Sequence, residues 1–117
     1  MRNQPKYTLF KNTTYALNGF VDMLKYETSF KIELVLSILL IPILFIVDVS
    51  LMSKLLMFIT LMGVLIAETI NSAIERVVDL VTLEHHPMAG RAKDVGSSIV
   101  FLSIGVFVVV WGLILFS

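Results

Sequence analysis

The hydrophobic positions of the chain fall into four stretches, of which the first is amphipathic. Over residues 7–28, apolar side chains recur every three to four positions, with Lys11, Asn18 and Asp22 between them. This is the spacing of a helix with one apolar face. Such a helix lies in the membrane interface or packs on other protein, and the spacing alone favours neither.

The other three stretches are apolar enough to cross a bilayer, which takes about 20 residues. We predict spans over 30–47, 51–81 and 95–116. Pro42 interrupts the first span, where neighbouring helices can absorb the lost hydrogen bond. The second span is about 45 Å long at about 1.5 Å per residue, so its far end should emerge from a hydrocarbon layer of about 30 Å. Trp111, near the end of the third, is expected to anchor it at the interface.

Two polar segments separate the predicted spans. Residues 48–54 predict a tight turn, in which Ser50 is a typical helix N-cap. Residues 83–94 contain Pro87 and Gly90 among charged neighbours and predict a loop. Three spans can hardly enclose a site by themselves, so we expect an oligomer.

Composition supports an integral membrane protein. Hydrophobic residues make up 57% of the chain and charged residues 15%, against about 45–50% and about 25% in soluble domains. We therefore predict an all-α membrane protein with residues 1–117 in one domain. The formal net charge of zero argues against a nucleic-acid partner. The absence of cysteine excludes disulfides and thiolate metal sites, and the polar first 16 residues do not resemble a cleaved signal peptide.

Basic residues predict the orientation in the membrane. Residues 1–31 hold five of the nine Lys and Arg, the 83–94 loop holds two, and the 48–54 turn holds one. By the positive-inside rule, the N-terminus and the 83–94 loop face the cytoplasm.

The second span ends in an acidic stripe. With about 100° per residue, five polar side chains of this helix fall within an arc of about 100°: Glu68, Asn71, Ser72, Glu75 and Asp79. A charge facing lipid costs at least about 2.5–3.5 kcal/mol, so such groups are expected to pair, titrate or hold a cation. Glu27 and Glu33 add negative charge in the same layer, whereas Arg76 is expected to project to another side of the helix. Solvation by headgroup water is the alternative explanation.

The segment after the stripe is a candidate phosphate site. Arg91 and Lys93 lie between Gly90 and Gly96, and glycines let backbone N–H groups approach a phosphate closely. The GxxxxGK[ST] motif of P-loops is absent. Mg²⁺ needs only one or two carboxylates when a phosphate supplies its other ligands, so a magnesium-bound nucleotide would relieve the repulsion within the stripe.

Two motifs resemble a known family. ETINSAIERVVD (68–79) and GRAKDVGSS (90–98) are similar to the signature of the small bacterial integral-membrane diacylglycerol kinases, and the resemblance covers nearly the whole chain. It implies a homotrimer in the bacterial inner membrane, with sites shared between subunits at the cytoplasmic surface. It also implies transfer of the γ-phosphoryl group of MgATP to the free hydroxyl of diacylglycerol, giving phosphatidic acid.

The resemblance implies roles for individual residues as well. Glu68 matches the proposed catalytic base, and Glu27 and Glu75 match the acids that bind metal with the nucleotide. Further positions that line the site or contact the nucleotide correspond to Tyr15, Asn71, Asp79, His86, Lys93 and Asp94. The sequence departs from the family pattern at His85, where an aromatic residue is familiar, and at Pro87.

Three alternatives stay open on the sequence. An undecaprenol kinase has the same fold and a similar stripe, although the GRAKD motif favours the diacylglycerol branch. A small cation-coupled transporter would use membrane carboxylates, but it predicts a lone acid in mid-span. A structural subunit of a larger complex needs no acidic face.

Overall fold

The computed structural model describes residues 9–117, which form helices joined by short connections: α1 (Leu9–Tyr26), α2 (Thr28–Ile46), α3 (Leu51–Val81) and α4 (Pro87–Phe116). No strand occurs within 9–117, so the all-α prediction is confirmed. Helices α2, α3 and α4 are each long and apolar enough to cross a membrane. The first two residues of the predicted amphipathic helix, 7 and 8, and the basic residues before them lie outside the described part.

Helices α1 and α2 are almost continuous, with Glu27 alone between them. The backbone of Glu27 is extended, with φ of −124° and ψ of 104°, and this breaks the helical run. The two helices meet through Phe20 and Phe30, whose rings pack edge to face with centroids 5.3 Å apart. Phe30 and Met23 are buried. The last turns of α1 therefore dock on the first turn of α2.

The connection between α2 and α3 is shorter than the turn predicted over 48–54, because α3 already begins at Leu51. Ser50 is the N-cap of α3, and its hydroxyl accepts a hydrogen bond from the backbone N–H of Ser53 at 3.1 Å. Pro42 lies inside α2 without ending the helix. Because the connection is short, α2 and α3 run antiparallel and bring the start of α2 beside the end of α3.

The hydrophobic core lies where α2 ends, α3 begins and α4 ends. Leu44, Met57, Leu61 and Trp111 pack together there. The anchoring role expected of Trp111 at the membrane interface stays a prediction, and its side chain packs inside the bundle, where it is only 6% exposed. The reason is a hydrogen bond, since its indole N–H donates to the Met57 carbonyl at 3.0 Å.

Helix α4 begins earlier than predicted, so the loop proposed over 83–94 is wrong from Pro87 onward. Pro87 occupies the first helical position, where its missing N–H and fixed φ do no harm. Nδ1 of His86 caps the helix by accepting from the Met88 N–H at 3.1 Å. Gly90 is helical and donates to the His86 carbonyl at 3.0 Å. Residues 90–94 are therefore held on a rigid helix.

Candidate active site

A cavity of about 490 Å³ opens between α2, α3 and α4 and is lined mainly by polar side chains. Four of these are half-buried carboxylates, and the cavity is called the acidic cavity below: Glu27, Glu33, Glu68 and Glu75. Like charges gathered in this way are unfavourable unless a proton or a cation compensates them. The cavity therefore requires a bound proton on one of the acids, or positive charge from the protein or from a ligand.

Helix α3 supplies one wall of the acidic cavity through the predicted stripe. Glu68, Asn71, Ser72 and Glu75 line the cavity together, as residues on one helix face should. Asn71 donates from Nδ2 to Oε1 of Glu75 at 3.5 Å, a long contact that keeps the two side chains adjacent. Asp79, one turn beyond Glu75, lies outside this cavity.

Helix α2 adds Glu33, an acid that the sequence places in the same layer but to which it assigns no role in the site. The Glu33 carboxyl interacts with that of Glu68 in the acidic cavity. Its Oε2 atom is buried and has no hydrogen-bond partner within residues 9–117. The signal in the sequence was an acid at the head of an apolar span, where an uncompensated charge is expensive.

Helix α4 closes the cavity through a glycine. A Cβ atom on Gly96 would collide with the Asn71 amide oxygen and would lie 3.5 Å from Cγ2 of Ile74. Glycine therefore permits the close approach of α4 to α3 at this point. The next residue, Ser97, also lines the acidic cavity, although nothing in the sequence pattern singles it out.

Arg76 supplies positive charge at the edge of the acidic cavity. It donates to a carboxylate oxygen of Asp22 through Nη1 and to Oε2 of Glu27 through Nη2, the latter at 2.6 Å. The Ser72 hydroxyl donates to the same Glu27 oxygen. The expectation that Arg76 points away from the acids is wrong. It lies four residues after Ser72 and therefore beside it, and its long side chain reaches the junction of α1 and α2.

A second cavity of about 230 Å³ lies at the connection between α3 and α4. Asp79 and Lys93 on its wall form an ion pair, with Oδ1 and Nζ 2.7 Å apart. Both side chains remain partly exposed, at 48% and 41%. His86 also lines this cavity, although its Nδ1 atom is engaged by the Met88 N–H. The acid that continues the stripe is thus neutralised by α4.

Two predicted site residues lie apart from both cavities. Tyr15 is on α1 and Asp94 is on an exposed face of α4, and neither lines the acidic or the second cavity. Asp94 directly follows Lys93, and the helical rotation of about 100° per residue turns it away from the α3 face. The nucleotide contacts implied for these two residues remain predictions.

The carboxylate oxygens of the acidic cavity suit a metal ion that binds together with a nucleotide, whose phosphates supply its other ligands. No group of three or more His, Asp or Glu side chains in residues 9–117 is arranged to hold a metal ion. Glu27 and Glu75 nevertheless line the same cavity with hard oxygen donors. One or two carboxylates are what Mg²⁺ takes from a protein when phosphate oxygens complete its coordination. The residues fit a magnesium–nucleotide complex better than a resident ion.

Comparison with known proteins connects this chain to one family. The sequence model described as prokaryotic diacylglycerol kinase matches residues 14–115. The diacylglycerol kinase of Pseudomonas aeruginosa is 42% identical over 103 residues, which cover 88% of this chain and 84% of the relative. The diacylglycerol kinase of Haemophilus influenzae is 40% identical over 108 residues, 92% of each chain. The undecaprenol kinase of Bacillus subtilis is 31% identical over 91 residues, 78% of this chain and 74% of that protein.

Proposed function

The chain belongs to the prokaryotic diacylglycerol kinase family, and we propose that its acidic cavity is where ATP phosphorylates a diacylglycerol. The γ-phosphoryl group passes to the free hydroxyl of the lipid, and the products are phosphatidic acid and ADP. One observation carries this assignment: four carboxylates share a cavity between helices that are otherwise apolar. A lipid alcohol and a metal-bound triphosphate can both reach such a place.

Glu68 is the proposed base. It lies two helical turns before Glu75 on α3, about 10 Å along the axis, and therefore closest to the apolar part of the bundle. That depth suits the hydroxyl of a membrane lipid. As the acceptor oxygen bonds to the γ-phosphorus and the bond to ADP breaks, the hydroxyl proton passes to the Glu68 carboxylate. Glu33, which interacts with Glu68, is placed to hold that carboxylate in position.

Glu27 and Glu75 are the proposed metal-binding acids, and Asn71 orients Glu75 through its side-chain amide. When bound, Mg²⁺ supplies positive charge to the phosphate oxygens of ATP. Lys93 and His86 would meet the nucleotide from the second cavity, and Lys93 would then exchange Asp79 for a phosphate oxygen. Phosphoryl transfer demands mainly such positioning and neutralisation.

The family and the three apolar helices make this an inner-membrane protein. We further propose that the site faces the cytoplasm and that the chain works as a homotrimer with sites between subunits. Large hydrophobic side chains remain exposed along α2, α3 and α4, surfaces that lipid or other subunits can cover. A site shared between subunits also gives Tyr15 and Asp94 a route to a nucleotide that they do not approach within one chain.

The alternative functions that the sequence left open differ in how much support they have. Undecaprenol kinase is a relative at 31% identity, against 42% and 40% for the two diacylglycerol kinases above. It therefore ranks second for the acceptor lipid. A cation-coupled transporter and a purely structural subunit have no support, because the chain belongs to a kinase family.

Radiolabelled ATP tests the proposal in mixed micelles of the purified protein. We expect label transfer to diacylglycerol in Mg²⁺, little transfer to undecaprenol, and none to either lipid after chelation with EDTA. Preferential labelling of undecaprenol would keep the chemistry and change the substrate. Labelling of neither lipid, by protein that is folded and bound to detergent, would contradict the proposed function.

A further inference from the structure

One guanidinium group connects three helices beside the acidic cavity. Arg76 extends from α3 and donates to Asp22 on α1 and to Glu27 at the junction of α1 and α2. The roles given above to Glu68, Glu27 and Glu75 make no use of it. Arg76 also lines, with Glu27 and Glu75, an adjoining cavity of about 400 Å³. It therefore lies beside both proposed metal-binding acids.

Glu27 depends on neighbours outside its own helix for its orientation. It is the N-cap residue of α2, a position whose side chain usually accepts a hydrogen bond from the first turn. Here the Glu27 side chain makes no such capping bond. Its carboxylate is bound by Arg76 and Ser72 of α3 instead. The extended backbone of Glu27 sits between two helices, so the contacts to α3 decide where the carboxylate lies.

Both contacts from α3 end on one oxygen of Glu27. Nη2 of Arg76 and the Ser72 hydroxyl each donate to Oε2. Two donors on one oxygen fix the rotation of the carboxylate and leave Oε1 to act as a single-oxygen ligand. This arrangement suits a metal ion that takes one oxygen from each of two acids.

Asp22 completes the arrangement by binding Nη1, the other terminal nitrogen of the Arg76 guanidinium. The guanidinium is planar and rigid, so a carboxylate on Nη1 fixes the direction of Nη2. The Arg76 and Asp22 side chains are 45% and 43% exposed, whereas Glu27 is 27% exposed. The network thus runs from the surface of α1 toward the cavity, and Glu27 is its innermost member.

From this geometry we infer that Arg76, held by Asp22, is a positioning residue that presents Glu27 to the magnesium–nucleotide complex. The inference rests on the proposed function of the acidic cavity and adds two residues to it. Arg76 acts through Glu27 and does not touch the reacting atoms. Removing Arg76 should therefore weaken nucleotide binding and leave the chemical step nearly intact.

The test compares Arg76→Gln, Arg76→Lys and Asp22→Asn, with Lys25→Gln as the control that removes a positive charge from the last turn of α1. The readouts are the Kd of a non-hydrolysable ATP analogue in the presence of Mg²⁺, the KM for MgATP and kcat.

We expect Arg76→Gln to raise Kd and KM about 10-fold, as loss of an outer-shell partner does, with kcat within about 2-fold of the wild-type value. Arg76→Lys should recover only part of the affinity, because an ammonium cannot span both carboxylates. Asp22→Asn should raise Kd about 3-fold and Lys25→Gln should not change it.

A Glu27→Gln background separates indirect from direct action. If Arg76 works through Glu27, adding Arg76→Gln to Glu27→Gln should weaken analogue binding no further, because coupled residues are not additive. A full additional loss would mean that Arg76 contacts the nucleotide itself and would overturn the inference. So would an unchanged Kd in Arg76→Gln, or a lower melting temperature with unchanged Kd and KM. Should Arg76→Gln fail to fold, Arg76→Lys and Asp22→Asn decide the question by the same measurement.

The two proposals fail in different ways. If the wild-type protein phosphorylates lipid and binds the analogue but Arg76→Gln matches it, the positioning role fails alone. If the wild-type protein phosphorylates no lipid, the proposed function fails. Analogue binding across the variants then still reports whether Arg76 orients Glu27.

Discussion

The two halves of helix α3 differ in what surrounds them. Around Met57 and Leu61 the helix packs against apolar side chains of α2 and α4, and the buried polar contact there, from Trp111 to a backbone carbonyl, is satisfied. Over residues 68–79 the same helix faces carboxylates and open cavities. Within the described chain, the buried amide oxygen of Asn71 has no hydrogen-bond partner there.

This contrast separates stability from function along one helix. A buried polar group without a partner carries a free-energy penalty, which a stable core avoids and a binding site accepts because a ligand later satisfies it. Substitutions in the first half of α3 and its neighbours should therefore reduce stability. Substitutions of the polar residues over 68–79 should weaken nucleotide binding or reduce turnover while the protein stays folded.

The largest effect is expected from Glu68→Gln. The amide cannot accept the proton of the lipid hydroxyl, so kcat should fall about 100- to 10,000-fold, the usual contribution of a general base. The melting temperature in detergent should stay close to the wild-type value. Steady-state assays with diacylglycerol and MgATP measure this, and Glu68→Asp is the matched control that keeps a carboxylate. Near-normal kcat in Glu68→Gln would remove the base from the mechanism.

Trp111→Ala should produce the largest effect on stability. Truncating a buried aromatic ring costs about 3–5 kcal/mol, and we expect the lower end because lipid can partly refill the space. Trp111→Phe keeps a ring, loses the hydrogen bond to Met57 and should cost about 0.5–1.5 kcal/mol. Unfolding by denaturing detergent gives both values. The division of α3 into a stabilising half and a functional half would be contradicted if folded Trp111→Phe lost as much kcat as Glu68→Gln does.

Gly96→Ala should affect the site more than the fold. The new methyl group would displace the Asn71 amide and, with it, the contact to Glu75. Misplacing a positioning group in this way should lower kcat/KM for MgATP about 10-fold. Gly112→Ala is the control on the same helix, since a Cβ there meets nothing within 4 Å. Equal activity in the two variants would show that the approach of α4 does not shape the cavity.

Asp79→Asn should have the smallest effect. The ion pair between Asp79 and Lys93 is partly exposed, and exposed pairs contribute little to stability. The melting temperature should not shift measurably, and KM for MgATP should change within about 3-fold. A far larger rise in KM would mean that Asp79 binds the nucleotide directly instead of holding Lys93.

The sequence predicted the features that follow from one helix alone. The helical arc joining Glu68, Asn71 and Glu75 needs only the rotation per residue, and the structure places these side chains in one cavity. The N-cap at Ser50 needs only the turn chemistry, and it is confirmed. The catalytic and metal-binding roles of the acids remain predictions until they are measured.

Features that depend on how helices meet were not predictable in the same way. Arg76 was expected to point away from the acids because a single helix says nothing of where α1 lies. Pro87 and Gly90 were interpreted as loop residues, although a proline also suits the first turn of a helix and His86 caps it. The hydrogen bond of Trp111 to the Met57 carbonyl likewise depends on how α3 and α4 pack, which its residue type alone does not reveal.

The most direct test of the acidic cavity is the Mg²⁺-dependent binding of a non-hydrolysable ATP analogue to the wild-type protein and to Glu75→Gln in micelles. Lys54→Gln, at the opposite end of α3, is the charge control. We predict saturable binding that EDTA abolishes, a Kd raised about 10- to 100-fold by Glu75→Gln, and no change in Lys54→Gln. Binding that ignores Mg²⁺, or a Kd that Glu75→Gln leaves unchanged, would contradict the assignment of this cavity to the nucleotide.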